Sequence, residues 1–375
     1  MNDQSTHGLS NASIALVGLG NIGSQTAALL AGVETIGRVL LIDPDRYEAS
    51  NLGSQRIGPV DVGRYKVEVQ AKSLRRVAPQ LVVATFAQPI ESLPLGMLRG
   101  HVILACVDSR IARQAINRIA FALGTPWIDA ALDRGGQVRS RIFLPGVGDC
   151  LECAWEREYD LLEQRVPCAA TDVAGSGQQT NTTAAPQELG ALAAGIQVSH
   201  LRSLLTRECD GASQPGRQWF YDMPSGRGWV GSYTTNPVCR LDHGQWKINE
   251  LAHTASGISL SEALRLPGGD GKDSAIAVDG QMFVQRLRCA GCGSARATAG
   301  RLSSRIGSRA CRKCGAAMTA SAADVSDVLT VRNVPPRWLY LPLSAFGLLD
   351  SDVFSVQMQD TTYHYQLCGT SQEAR

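Results

Sequence analysis

The chain has no apolar run approaching the roughly 18–20 residues of a bilayer span, so no transmembrane helix is expected. It has no surplus of one charge either: 36 Lys and Arg face 34 Asp and Glu, a formal net charge of +2. That balance, without a long block of one sign, argues against nucleic-acid or membrane-surface binding as the main activity. Residues 1–10 lack the basic start and apolar core of a secretory signal, so a cytoplasmic protein is expected. Internal repeats are absent. Apolar material is not: 44% hydrophobic and 19% charged residues exclude a compositionally disordered chain. At about 100–200 residues per domain, 375 residues imply two or three domains.

Cysteine is abundant. Eleven are present, and six form the pairs Cys150/Cys153, Cys289/Cys292 and Cys311/Cys314. In a reducing compartment, where disulfides seldom persist, Cys-x-x-Cys reads as metal binding or redox chemistry. The last two pairs are separated by 18 residues, and each is followed by Gly. Each pair can place two thiolates on one tight turn, and two such knuckles close a tetrahedral Cys₄ zinc site. No thioredoxin-like βαβ unit surrounds either pair, so free redox thiols fit poorly.

Residues 13–17 (SIALV) are strand-like and lead at once into Gly18-Leu-Gly20-Asn-Ile-Gly23. A small-residue helical pattern follows, then a second apolar run, 39–42, that ends at Asp43. Helical periodicity returns at 66–77, and apolar runs at 81–86, 102–107 and 126–131. Strands alternating with helices imply a doubly wound α/β fold with a mostly parallel, Rossmann-like sheet over about 12–148. Residues 169–187 are small and polar, and 188–205 reads as a helix. The domains expected are 1–165 for nucleotide binding, 166–245 completing it, and 246–375 with the Cys₄ module at about 285–318 in a small zinc ribbon.

Gly-x-Gly-x-x-Gly between a strand and a helix makes a tight turn whose N–H groups form an anion site. Asp43, closing the second strand, suits a ribose hydroxyl. The polar residues after that strand narrow the nucleotide: Asp43-Pro-Asp45, then Ser50-Asn51-Leu52, Gln55-Arg56, Lys66 and Val107-Asp108. A dinucleotide dehydrogenase needs no such polar cluster. Cleaving ATP between its α- and β-phosphates needs cations at the phosphates and a carboxylate for Mg²⁺.

With these residues the chain resembles the ThiF/MoeB/HesA superfamily, whose adenylating fold is shared with ubiquitin-activating enzymes. The resemblance is strong over about 12–155 and weak to 243. It implies an ATP site of Gly18, Gly20, Gly23, Asp43, Asn51, Arg56, Lys66 and Asp108. In it Asp43 holds the ribose, Lys66 and Asn51 the phosphates, and Asp108 the Mg²⁺. Where the family motif Ser-Asn-Leu-x-Arg-Gln has Arg, this chain has Ser54, so the arginine role passes to Arg56. The N-terminal arginine finger of many relatives is not recognisable in residues 1–12. A homodimer is expected from the resemblance alone.

Zinc-bearing relatives place a Cys-x-x-Cys where Cys150 and Cys153 stand, and a second pair beyond the crossover. Here that region offers Cys239 and His243, a Cys₃His set; the alternative pairs Cys150/Cys153 with a C-terminal knuckle. Some single-domain activators of ubiquitin-like proteins carry their thioester cysteine where Cys168 stands, fifteen residues after Cys153 in a Cys-Ala-Ala context. The catalytic set expected is Cys168, Lys66, Arg56 and Asp108. The activity implied is ATP-dependent adenylation of a ubiquitin-like protein's C-terminus, thioester formation on Cys168 and transfer to a conjugating enzyme. A sulfur-carrier adenylyltransferase without a thioester is the alternative reading, and a non-catalytic nucleotide-binding scaffold a third. Cys106, Cys209 and Cys368 read as packing or surface thiols.

Overall fold

The structure is a computed structural model describing residues 11–133, 135–155, 159, 185–209, 211–302 and 310–369. The chain divides into two compact units, Met1–Ile90 with Leu98–Gln245, and Glu91–Met97 with Trp246–Arg375.

The first unit begins β1 (Ala12–Val17), α1 (Asn21–Leu30), β2 (Ile36–Ile42), α2 (Lys66–Val77) and β3 (Val82–Phe86). It continues with β4 (His101–Ala105), α3 (Arg110–Leu123), β5 (Trp127–Leu132), β6 (Gln137–Phe143) and α4 (Gln187–Thr206). The hairpin β7 (Arg217–Asp222) and β8 (Arg227–Ser232) closes it. Eight strands form one sheet in the order β3-β2-β1-β4-β5-β6-β7-β8. From β3 to β5 every pairing is parallel, and from β5 onward every pairing is antiparallel. The sheet is therefore mixed, with a doubly wound half and an antiparallel half.

The chemistry of each strand explains its place. Ile14, Leu16, Val39, Leu41 and Leu104 are buried, as expected for parallel strands covered on both faces. Strand β8 is mostly exposed, as an outer strand can be. The small residues of α4 permit close approach to α1: a Cβ at Gly190 would lie 1.9 Å from Asn21 Oδ1. Helix α3 opens on Ser109, whose Oγ accepts from Ala112 N, and closes on Gly124 at φ +66°.

The second unit holds β9 (Ile248–Leu251), α5 (Leu260–Leu264), β10 (Ser274–Ala277), β11 (Phe283–Val284), β12 (Arg286–Cys289) and β13 (Ala295–Ala297). It ends with β14 (Met318–Thr319), β15 (Val325–Ser326), β16 (Val328–Thr330), β17 (Val353–Met358) and β18 (Thr361–Leu367). A five-stranded sheet, β16-β10-β17-β18-β9, packs on Ile276, Phe283, Phe346, Phe354 and Leu367. A separate three-stranded sheet, β13-β12-β14, carries the C-terminal cysteines. The segment Glu91–Met97 belongs here: Gly96 N donates to Ser351 O at 2.9 Å, and Gln281 Nε2 to Glu91 O at 2.7 Å. Among the described residues, no helix is long and apolar enough to cross a membrane.

A buried histidine in the first unit makes stability depend on pH. His200 of α4 is 4% exposed, and its Nδ1 lies 3.1 Å from Ser140 Oγ, which donates to Asp129 O. Burial pushes its pKa down from 6.5 to about 4. The unfolded chain therefore binds a proton that the folded chain refuses, so stability falls as pH drops from about 6.5 to about 4. The loss should approach about 3 kcal/mol. Denaturant titrations should show the wild-type advantage over His200→Gln shrinking across that interval; a pH-independent difference would refute this.

Candidate active site and metal clusters

Strand order reverses between β1 and β4, which opens a crevice beyond the carboxyl ends of the parallel strands. The glycine loop follows β1 directly. Gly18 stands at φ +85°, and a Cβ there would lie 2.7 Å from Cys106 O, just past β4. A Cβ at Gly23 would lie 1.8 Å from Gly18 O, whereas one at Gly20 would meet only Gln55 Nε2 at 3.9 Å. Two of the glycines are thus required by packing, and the third leaves the loop open toward solvent or ligand.

Asp43 closes β2 and is 5% exposed. Its Oδ2 accepts from Leu19 N at 2.6 Å and its Oδ1 from Asp45 N at 2.8 Å. Burial raises its pKa, opposed by the Lys66 charge and by these amides. Lys66, the first residue of α2, donates to Asp45 Oδ2 at 3.0 Å; the Asp45 side chain is 63% exposed. Asn51 is buried, with its Oδ1 accepting from Glu48 N at 2.9 Å. Asp108 is exposed and sits immediately before the Ser109 cap of α3.

The structure therefore brings Gly18, Gly23 and Cys106 into contact and links Asp43, Asp45 and Lys66 to the glycine loop. Arg56 is exposed; its backbone N donates to Ser24 Oγ of α1 at 3.1 Å. It also lines a small groove with Ala27, Ala28 and Ala31 of α1 and Gln70 and Leu74 of α2. Cys168 lies outside the described residues.

Sequence reasoning passed over Tyr47. It is 1% exposed, donates to Leu19 O at 2.9 Å and accepts from Gln70 Nε2 at 2.8 Å. Its signal was position alone, inside the polar run after Asp43. Cys106 packs in the core of the first unit, as expected of a packing thiol, and its Sγ also donates to Gln197 Oε1 at 3.1 Å.

Two clusters of metal-ligand type are present among the described residues. In the first, Cys150 Sγ lies 3.7 Å from Cys153 Sγ, 3.6 Å from Cys239 Sγ and 3.3 Å from His243 Nε2. A tetrahedron with Zn–S of about 2.3 Å and Zn–N of about 2.05 Å has S···S edges of about 3.8 Å and S···N edges of about 3.6 Å. The observed spacings match that figure closely. In the second, Cys289 and Cys314 lie 3.3 Å apart, and Cys292 and Cys311 3.7 Å. Ser294 Oγ stands 3.1 Å from Cys292 Sγ and 3.2 Å from Cys311 Sγ, and that hydroxyl, with nearby amides, holds Cys311 down at about 6. Both donor sets fit a tetrahedral metal ion. Of the two partitions left open by spacing, the fold brings together Cys150/Cys153 with Cys239/His243.

The first cluster is braced by α3. Glu152, between the two cysteines, accepts from Asn117 Nδ2 at 3.1 Å, Gln114 Nε2 at 3.0 Å and Tyr159 OH at 2.9 Å. Asn117 Oδ1 in turn accepts from Leu151 N at 3.2 Å.

The glycine packing makes a contrast testable without any ligand. Gly23→Ala should lower the unfolding free energy by about 1–3 kcal/mol, the usual cost of overpacking, and Gly20→Ala by well under that. Equal losses in thermal denaturation would show that the loop is not packed as described.

Comparison with known proteins places this geometry. The ThiF family profile matches residues 1–266. The sulfur carrier protein ThiS adenylyltransferase of Escherichia coli is 32% identical over 171 residues, 44% of this chain and 66% of that protein. Ubiquitin-like modifier-activating enzyme 5 of Oryza sativa subsp. japonica is 28% identical over 160 residues, 38% of this chain and 37% of that protein. The chain thus spans less than two thirds of these curated relatives. Among solved structures, E. coli MccB with succinimide has a TM-score of 0.51 at 20% identity, covering 62% of this chain and 67% of that one, a likeness of fold. The same protein has been crystallised with ATP, with a TM-score of 0.50 to this chain. A switch-point crevice with a packed glycine loop, and a profile match over most of the chain, lead to one conclusion: this protein belongs to the ThiF family.

Proposed function

We propose that the protein adenylates the C-terminal carboxylate of a ubiquitin-like protein at the crevice beyond β1 and β4. One observation carries the reading: Lys66 is held at the glycine loop by a carboxylate that is itself 63% exposed. Asp45 keeps most of its side chain in water, so it stays solvated when a triphosphate replaces it on Lys66, and the exchange costs little. Asp43 is by contrast buried and bonded to the loop, where it can receive a ribose hydroxyl only at the rim of its existing bonds.

In this reading the substrate carboxylate attacks the α-phosphorus of ATP, the α–β phosphoanhydride breaks, and pyrophosphate leaves. The acyl-adenylate remains. The glycine-loop amides, Lys66 and Arg56 offset the charge that develops on the phosphates. Asp108 would hold Mg²⁺, which neutralises phosphate charge when bound. The thiolate of Cys168 then attacks the acyl carbonyl and AMP leaves, giving a thioester for transfer to a conjugating-enzyme cysteine. The 32% identity to a sulfur-carrier adenylyltransferase supports a second reading that stops at the adenylate.

Pyrophosphate exchange with Mg·ATP and small ubiquitin-fold proteins ending in glycine tests the first step. Lys66→Ala and Asp108→Asn should each lower exchange by about a hundredfold or more, the range seen for lost electrostatic partners. Unchanged exchange in both would defeat the adenylation reading. Cys168→Ala should leave exchange intact and abolish the thiol-reducible enzyme–substrate adduct; an adduct that persists assigns the thioester elsewhere, and none in the wild type favours the sulfur-carrier reading.

We further propose that both cysteine clusters hold structural zinc. Purified protein should then carry two zinc ions per chain by elemental analysis, and Cys239→Ala only one. Retention of two ions by Cys239→Ala would refute the Cys₃His assignment.

A further inference from the structure

Gln197, midway along α4, is fully buried and uses its entire amide. Its Nε2 donates to Ala105 O at 3.1 Å and to Ile128 O at 3.0 Å. Its Oε1 accepts from Thr26 Oγ1 at 3.1 Å and from Cys106 Sγ at 3.1 Å. Chemistry fixes the orientation of the amide, because the nitrogen faces two carbonyls and the oxygen faces two donors.

Those partners are not arbitrary. Thr26 lies in α1, the helix that the glycine loop opens. Ala105 ends β4, and Cys106 follows it, two residues before Asp108. Cys106 is also the residue whose carbonyl a Cβ at Gly18 would strike. A single side chain therefore ties the helix behind the loop to the strand end that leads to Asp108. A second tie keeps α4 in register: Asn21 Nδ2, in the first turn of α1, donates to Ala185 O at 2.9 Å, just before α4 begins. An apolar residue would fill the space of Gln197 but remove all four of these hydrogen bonds, leaving Thr26 and Cys106 only their 3.8 Å contact with each other.

We propose that Gln197 is a positioning residue of the nucleotide site. It sets the spacing between the glycine loop and Asp108, so that one triphosphate can meet both the loop amides and a metal ion held by the carboxylate. This rests on the adenylation reading. Misplacement of such groups costs affinity even where the fold survives, because a bound ligand must satisfy both at once.

The experiment uses the full chain titrated by calorimetry with ATP, once with Mg²⁺ and once with Mg²⁺ left out and no chelator added, so that zinc stays bound. Gln197→Leu should weaken Mg·ATP binding at least tenfold and Thr26→Val at least threefold. Binding of metal-free ATP, which needs the loop but not Asp108, should change less than threefold in each. The double variant should be no weaker than Gln197→Leu alone, because both break one connection. Wild-type Mg·ATP affinity in folded Thr26→Val and Gln197→Leu overturns the proposal. So does an equal loss with and without Mg²⁺, which would mark a merely structural role. Should Gln197→Leu not fold, Thr26→Val carries the same comparison alone. A folded wild type that binds no Mg·ATP removes the adenylation reading itself, and this inference with it; binding by wild type with unaffected variants removes only the inference.

Discussion

Gly18, Gly23 and the backbone of Cys106 come together with no room for a side chain between them. A methyl at residue 23 would stand 1.8 Å from one carbonyl oxygen, and a methyl at residue 18 would stand 2.7 Å from another. Backbone against backbone at this range lets β1 turn into α1 within three residues and still pack against the end of β4. The rest of the site is arranged around the loop so formed. Leu19, between the glycines, has its N–H taken by Asp43 and its carbonyl by Tyr47. Ser24, one residue past Gly23, accepts from the Arg56 backbone. The polar run from 43 to 56 thus wraps the loop and is held by it.

The parts of this arrangement that depend on local chemistry were legible in the sequence. Apolar runs became strands, largely buried in β1, β2 and β5 but mostly uncovered in the edge strand β3; Lys66–Val77 is the helix that its periodicity predicts, and the glycine spacing marks the turn. Tyr47 and Gln197 were not legible, for a physical reason. A tyrosine in a polar run, or a glutamine in a small-residue helix, has no intrinsic meaning until its partners are known. Those of Gln197 lie 69 to 171 residues away in sequence. Periodicity placed α4 but could not show which of its polar residues faces inward, because 188–205 is small and apolar nearly all round.

The cysteines divide the same way. Cys-x-x-Cys spacing is local geometry and announced ligand pairs without help from the fold. Which pair closes on which is a tertiary fact. Cys239 and His243 follow the β7–β8 hairpin, and only the antiparallel half of the sheet returns them to Cys150 and Cys153. Glu152 shows what spacing cannot carry. It is 4% exposed and accepts three hydrogen bonds, which the spacing of the cysteines around it does not announce. Two of those donors are on α3, so the cluster and Asp108 lie at the side and the start of one helix.

Asp43 and Asp45, two residues apart, show how burial separates the work of like groups. Asp43 cannot move: withdrawing it would leave Leu19 N–H buried without a partner, at a cost of about 1–3 kcal/mol. Asp45 keeps most of its side chain in water and holds Lys66 through a bond that salt and competing anions weaken. Lys66 is itself only 9% exposed, so without Asp45 it would be a charge with little solvation. The exposed carboxylate therefore stabilises a buried cation and, in the proposed reading, yields it to the more highly charged triphosphate. A pair of two buried partners would resist that exchange, and a pair of two exposed ones would not hold the lysine in place.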